Sequence, residues 1–336
     1  MKKRIRIAQV GTNHYTHAPQ TFESMLKQRD DFDVIGVAEP VESCTANLQT
    51  GLYRDQPHYT VEQLLAMDDL DAVAIETNEE NMTEYAQMFA DRGVAVHMDK
   101  PGSPGAAAFA KLASTLEQQS LPFHLGYMYR YNPLVQRMYA EIEAGTIGEI
   151  LNVEAQMSVH YTPQNRQWLG KFPGGMMFYL GCHMIELVYR LQGMPRSVTP
   201  MNLCTGTDGV TAEDQGLAIL QYPRGISIVK SNAVEYNGFE RRQLVVTGTR
   251  GTIELKPLER YENGGMYTYG AFTHEGNCGG NHYRDGSEKW RAGPYDRYDA
   301  MMLDFAELVR GEKENPYTYA HETQLFRLLM MCCGAE

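Results

Sequence analysis

The chain has 336 residues, 43% of them hydrophobic and 21% charged, with a formal net charge of −12. That composition describes a globular chain long enough for two domains. Its acidic balance argues against nucleic acid and anionic membrane surfaces as partners, while leaving room for a local basic pocket. Cysteines at Cys44, Cys182, Cys204, Cys278, Cys332 and Cys333 form no Cys-x-x-Cys pair, which points to reduced thiols and to neither a disulfide frame nor a zinc site. Met1-Lys2-Lys3-Arg4 leads into Ile5-Arg6-Ile7-Ala8-Gln9-Val10, which Arg6 and Gln9 interrupt, so the start reads as a strand and not as an export signal. No run reaches membrane-spanning length, and the expected compartment is the cytoplasm.

After the strand at 5–10 comes a turn, Gly11-Thr12-Asn13-His14-Tyr15-Thr16-His17, then a helix over about 19–27 and a strand at 33–38 ending in Glu39-Pro40. This is the β-α-β setting in which a Gly-x-Gly-x-x-Gly dinucleotide fingerprint has meaning. Gly11 fits its first position; Asn13 takes the second and Thr16 the third. Asparagine tolerates positive φ better than most residues, so the turn is expected to survive the replacement. Gly11, Thr12, Asn13 and His14 are the candidate phosphate-side residues. Glu39 stands where an acid receives the adenosine ribose hydroxyls, which favours NAD over NADP. His14 and His17 lie three apart, but no third ligand falls nearby at metal spacing, and no metal site is expected.

Further helices are expected near 43–50 and 61–66, a strand at 72–75 ending in Glu76-Thr77-Asn78, and a helix over 81–92. The apolar run at 94–96 leads into His97-Met98-Asp99-Lys100-Pro101, followed by a helix at 106–119 and a short strand at 121–126. Alternating strands and helices give a parallel sheet covered on both faces. Ligands of such sheets bind outside the carboxyl ends of the strands, which places Thr77, Asn78, Lys100 and Pro101 beside the cofactor. Residues 1–126 are read as one nucleotide-binding domain and 127–336 as a second domain for substrate binding and oligomerisation.

Tyr127 to Pro133 is aromatic, basic and polar at once. Tyr129, Arg130, Tyr131 and Asn132 suit a polar organic ligand, and Pro133 opens a helix to about 144. A strand at 150–161 ends in His160-Tyr161, with Arg166 and Trp168 in a following loop. Gly174 to Leu187 reads as a helix opened by glycines, with Tyr179 and His183 four apart on one face. Antiparallel strands are expected near 197–205, 214–222, 225–235, 240–248 and 251–256. Residues 262–290, including His274, His282 and Tyr283, read as a long loop. Helices over about 295–310 and 320–333 follow.

Four segments resemble motifs of the glucose–fructose oxidoreductase, inositol dehydrogenase and MocA family: Asp99-Lys100-Pro101, Tyr129 to Pro133, Gly174 to His183, and Pro316 to Glu322. The resemblance implies an α/β fold, with an N-terminal Rossmann doubly wound parallel sheet and a C-terminal α/β domain carrying a large, mostly antiparallel open sheet. It implies NAD(P) use, a sugar- or polyol-like substrate, and homodimers or homotetramers formed through that sheet. Lys100 matches the family's catalytic lysine and His183 its catalytic histidine. The aspartate usual four residues before the histidine is Tyr179 here. The leading expectation is an NAD-dependent oxidoreductase in which His183 takes a hydroxyl proton, Lys100 stabilises the developing alkoxide and Tyr179 positions His183 or relays its proton. His160, Tyr161 and Trp168 join Tyr129 to Asn132 as candidate substrate contacts. One alternative retains NAD and uses transient 3-keto formation for elimination or glycoside cleavage. Another is a non-catalytic dinucleotide-binding protein of the same fold.

Overall fold

A computed structural model describes residues 2–278 and 286–336. It opens with β1 (Ile5–Val10), α1 (Ala18–Lys27), β2 (Phe32–Ala38), β3 (His58–Tyr59), α2 (Val61–Leu65), β4 (Ala72–Ile75), α3 (Met82–Asp91), β5 (Ala95–Met98), α4 (Ala106–Gln118) and β6 (Phe123–Leu125). These strands form a six-stranded parallel sheet in the order β3-β2-β1-β4-β5-β6. Isoleucine, valine and alanine make up β4 and, with Arg6 and Gln9, β1, and these strands are almost wholly buried, as parallel strands covered by helices on both faces must be. The order reverses between β1 and β4, which creates the crevice where doubly wound sheets take dinucleotides.

The chain continues through α5 (Pro133–Glu143), β7 (Ile150–Ser158), α6 (Pro163–Trp168), a single π turn (Met177–Gly181) running into α7 (Cys182–Gln192), β8 (Ser197–Leu203), β9 (Gln215–Tyr222), β10 (Gly225–Asn232), β11 (Gln243–Gly248), β12 (Gly251–Leu255), β13 (Arg260–Glu262), β14 (Gly265–His274), a short α8 (Glu275–Cys278) and β15 (Glu288–Tyr295). The strands β7 to β15 build a nine-stranded sheet in the order β13-β14-β12-β11-β7-β10-β9-β8, with β15 paired to β14. Among the described residues of this sheet, only β7 and β10 pair in parallel. In β9, Gly216, Ala218, Leu220 and Tyr222 are buried while Leu217 and Ile219 are half-buried, the alternation of a sheet whose two faces differ. The last helices are α9 (Asp299–Val309) and α10 (Tyr319–Cys332).

Three expectations need correction. The stretch at 262–290 is not one long loop: Asn263 and Gly264, both at positive φ, turn β13 into β14. Tyrosine and threonine at alternate positions then build β14 despite its glycines. His282 and Tyr283 lie outside the described residues. Residues 163–168 are a helix and not a loop, because Thr162 accepts the Asn165 N–H as N-cap and Pro163 occupies the first turn.

The third correction concerns the domain boundary. The chain divides into one unit of residues 1–128 and 298–326 and another of 129–297 and 327–336, so most of the final helical region belongs with the parallel sheet. Phe305 of α9 stacks on His124, Phe326 stacks on Phe109 at 4.3 Å, and Asn315 and Tyr319 donate to the carbonyls of Phe123 and Leu121. The first of those bonds is made to β6 itself and the second to the segment leading into it. Phe305 is fully buried, so Phe305→Ala is expected to destabilise the protein by about 3–5 kcal/mol in denaturant titration. A loss under about 1 kcal/mol would show that α9 is not part of this core.

Candidate active site

At the carboxyl end of β1, Gly11 adopts a φ of +100°, and a Cβ there would lie 2.4 Å from the backbone of Glu76 and Thr77. The turn therefore depends on glycine at this position. The Thr12 N–H and hydroxyl donate to Glu39 Oε2 at 2.6 and 2.5 Å, and the Val41 N–H donates to Oε1 at 2.8 Å. A carboxylate has about four acceptor sites, so Oε1 retains capacity for a further donor. Burial lifts the Glu39 carboxyl above its ordinary pKa, while the Thr12 and Val41 bonds hold it back. Asn13 is not among the residues at positive φ, contrary to the sequence expectation; its Oδ1 accepts the Tyr15 N–H at 3.1 Å and makes the turn by side-chain bonding. His14 is exposed against Tyr15. Thr77 and Asn78 follow β4, Thr77 buried and Asn78 half-buried. Glycine, threonine, asparagine and an acid thus meet at the reversal point, an arrangement that fits a dinucleotide.

Lys100 follows β5 and is 1% exposed, with a cis bond to Pro101. Three fully buried acids surround its charge: Glu76, Glu79 and Asp99. Asp99 Oδ1 lies 2.9 Å from His17 Nδ1, so His17 serves as its partner and orienter. Burial works to raise the Asp99 pKa, but His17 and Lys100 outweigh it and hold the carboxyl below its usual range. Glu76 moves far the other way, chiefly through burial and then through the Asp99 charge. Of this pair, Asp99 carries the charge and Glu76 the proton. Burial takes Glu79 to about 7, with Lys100 opposing. Among the described residues, no group of three or more histidines, cysteines and acids could hold a metal.

The second unit carries the remaining candidates. His183, on the first turn of α7, is 1% exposed, and its ring meets Tyr129 edge-on with centroids 5.4 Å apart. The Tyr129 hydroxyl donates to Glu259 at 2.7 Å, and Arg130 Nε donates to Glu186 at 2.9 Å on the same helix as His183. Tyr131 is half-buried beside them. Tyr179 sits in the π turn with Trp168 at 5.0 Å and Tyr161 at 6.4 Å between ring centroids. An unbroken α-helix from Gly174 is therefore corrected. Gly175 has φ +47° and its Cβ would lie 2.0 Å from the Glu213 carbonyl oxygen, so glycine is needed for close packing against that backbone. The π turn widens the helix, and Tyr179 and His183 lose the simple four-residue relation of an α-helix.

Two substrate candidates are spoken for elsewhere. Asn132 caps α5, its Oδ1 accepting from Leu134 and Val135 and its Nδ2 donating to Leu258 and Tyr295. All four of its hydrogen-bonding positions are used. His160 is exposed and stacks at 4.1 Å on Tyr236.

Residues 5–127 match the model of the oxidoreductase family with an NAD-binding Rossmann fold, and residues 135–254 match the GFO/IDH/MocA C-terminal domain. The chain belongs to the GFO/IDH/MocA family. It is 25% identical to D-xylose 1-dehydrogenase (NADP(+)) 2 of Haloferax volcanii over 68% of this chain and 70% of that protein. Identity to the trans-1,2-dihydrobenzene-1,2-diol dehydrogenase of Bos taurus is 23%, over 70% of each chain. Among solved structures, UDP-N-acetylglucosamine 3-dehydrogenase of Acidithiobacillus ferrooxidans shares the fold with a TM-score of 0.76 at 17% identity, covering 99% of this chain and 98% of that one.

Sequence reasoning missed Glu76, Glu79, His97 and His124 in this GFO/IDH/MocA chain. The available signal was period two: polar residues at alternate positions of strands that should be apolar on both faces. Because Glu79 titrates near 7 when folded and near 4.5 when unfolded, the folded state holds the extra proton between those values, and stability falls as pH rises through them. Glu79→Gln is expected to match the parent near about pH 4 and to exceed it by roughly 3 kcal/mol near about pH 8. Denaturant unfolding at the two pH values checks this, and equal stability at both would refute it.

Proposed function

We propose that the protein is an NAD-dependent oxidoreductase acting on a hydroxyl carbon of a sugar, polyol or glycoside. The observation that carries the reading is Lys100, buried at the carboxyl end of β5 and balanced by carboxylates on the unit whose Gly11 turn and Glu39 suit a dinucleotide. The names of the xylose and dihydrodiol dehydrogenase relatives support a carbon bearing a hydroxyl as the reacting centre.

Gly11, Thr12, Asn13, Thr77, Asn78 and Pro101 would hold the dinucleotide, and Glu39 would receive the adenosine ribose hydroxyls. Bound nicotinamide supplies the hydride acceptor. Lys100 donates to the substrate oxygen and stabilises negative charge as it develops. His183 takes the hydroxyl proton, the work for which an imidazole is suited near neutral pH. Tyr129 and Arg130, tied to Glu259 and Glu186, support the His183 face, while Tyr161, Trp168 and Tyr179 offer rings and hydroxyls to a polyhydroxylated ligand. The half-buried Leu217, Ile219 and Ile228 of the second sheet support homo-oligomer formation through that face.

Nicotinamide-linked absorbance across sugars, polyols and glycosides tests the activity. Lys100→Met is expected to lower kcat by about 10²–10³ with dinucleotide binding still measurable by fluorescence. Near-normal turnover would overturn the role of Lys100. Glu39→Ala is expected to shift preference toward NADP by about tenfold, roughly 1.4 kcal/mol, in competing titrations. An unchanged ratio would remove Glu39 as the selector. Tyr179, a hydroxyl where relatives are expected to carry a carboxylate, favours a second reading in which oxidation is transient and Tyr179 protonates a leaving group. Substrate loss without net NADH release would select that reading.

A further inference from the structure

One face of the parallel sheet carries a row of titratable side chains. Register pairs Ala74 with His97 and His97 with His124, and alternation places Glu76 on the same face as Ala74. His97 Nδ1 lies 2.7 Å from His124 Nδ1. Glu76 Oε1 is 3.8 Å from His97 Nε2, and Asp304 Oδ2 is 3.8 Å from His124 Nε2. Glu76 and His97 are 0% exposed and His124 is 1% exposed, whereas the Asp304 side chain is 14% exposed and pairs with Lys313 at the surface. The row therefore runs from the Lys100 end of the crevice to solvent.

The protons on this row have one consistent arrangement. Two ring nitrogens at 2.7 Å share a single proton, so one donates and the other accepts. Burial lowers the His97 pKa to about 4, against an opposing pull from Asp99, and leaves the ring neutral. Glu76 is the protonated member beside Asp99, and His97 Nε2 is the ring nitrogen that faces it. At 3.8 Å the two are beyond direct hydrogen-bond distance, and a carboxylic acid on that side favours the His97 proton on Nδ1. That proton is donated to His124 Nδ1, which leaves the His124 proton on Nε2, toward the Asp304 carboxylate. The other charged or polar neighbours are Asp99, Lys100, Thr16 and Thr21 around Glu76, His17 and Asp99 around His97, and Lys313 beside Asp304.

We propose that Glu76, His97, His124 and Asp304 form a proton relay joining Lys100 to solvent through the interior of the first unit. The proposal rests on the dehydrogenase reading above. In each oxidation the substrate carbon gives a hydride to nicotinamide and its oxygen gives up one proton. Lys100, which donates to the same oxygen, takes that proton in place of the one it passes to Glu76, a route additional to His183, as the Glu76 proton moves to His97 Nε2. The His97 Nδ1 proton moves to His124 Nδ1, the His124 Nε2 proton moves to Asp304, and one proton leaves to water. No electrons travel along the row. Each passage leaves both rings in the opposite tautomer, and ring rotation resets them.

Nitrogen-15 NMR of histidine-labelled protein without cofactor tests the arrangement directly. Near neutral pH both rings are expected to be neutral, His97 protonated on Nδ1 and His124 on Nε2, with coupling across the shared proton. A cationic ring, or the opposite tautomers, would overturn the relay whatever the enzyme's substrate. For any substrate turned over in the panel, His97→Gln is expected to lower kcat about tenfold or more, leave KM unchanged and raise the solvent deuterium isotope effect on kcat. Asp304→Asn is expected to slow turnover in dilute buffer and to recover in concentrated imidazole. Unchanged kcat and isotope effect in His97→Gln, with native circular dichroism, would reject the relay. Absence of turnover across the panel would reject the dehydrogenase reading while the NMR result stood separately.

Discussion

A buried ammonium requires buried negative charge, and much of the first unit is arranged around that requirement. Lys100 lies at the end of a central strand, and moving its charge out of water is costly unless carboxylates accompany it. The protein places three acids nearby and gives them different states. Asp99 is ionised and shared with His17, Glu76 is protonated, and Glu79 sits near the balance point. Packing three ionised carboxylates so close would carry its own repulsion, so burial and mutual charge divide the protons among them. The local charge around Lys100 is thus set by the sheet and not by solvent.

The second unit solves a different problem with the same means. Tyr129 and Arg130 are almost fully buried, and each is held by a buried acid, Glu259 or Glu186. Arg242 and Arg297 close the network on Glu259 from two further elements. Such a buried polar network restricts the rotamers of its members, which suits a site in which a histidine such as His183 is to be held in place.

Most of the fold was legible in the sequence because its signals are local. Apolar runs ending in Gly11, Glu76 and Lys100 announced parallel strands, and the Asn132-Pro133 and Thr162-Pro163 steps are ordinary helix starts, although the second was read as part of a loop. What stayed hidden depends on register. The neighbourhood of His97 and His124 exists only because β5 and β6 pair residue for residue, and no local spacing reveals it. Asn132 looked like a ligand residue and proved to be a helix cap, since side-chain type alone does not say where its four hydrogen-bonding positions will go. The π turn at Tyr179 escaped because spacing was read with an α-helical period. The return of residues 298–326 to the first unit escaped because sequence order was taken for spatial order.

That return has a consequence for how the chain matures. Ribosomal synthesis delivers the first 128 residues early, yet the sheet they form is completed by Phe305, Asn315 and Tyr319. Domains of many proteins fold in turn as they emerge, the amino-terminal one first. Here the amino-terminal unit waits, with the edge of β6 and the His97–His124 face uncovered, until residues 298–326 have left the ribosome. The intervening unit, whose sheet is built from residues 150–295, has its strands available sooner. The dinucleotide-binding half, first in sequence, therefore acquires its finished core only once residues 298–326 are available.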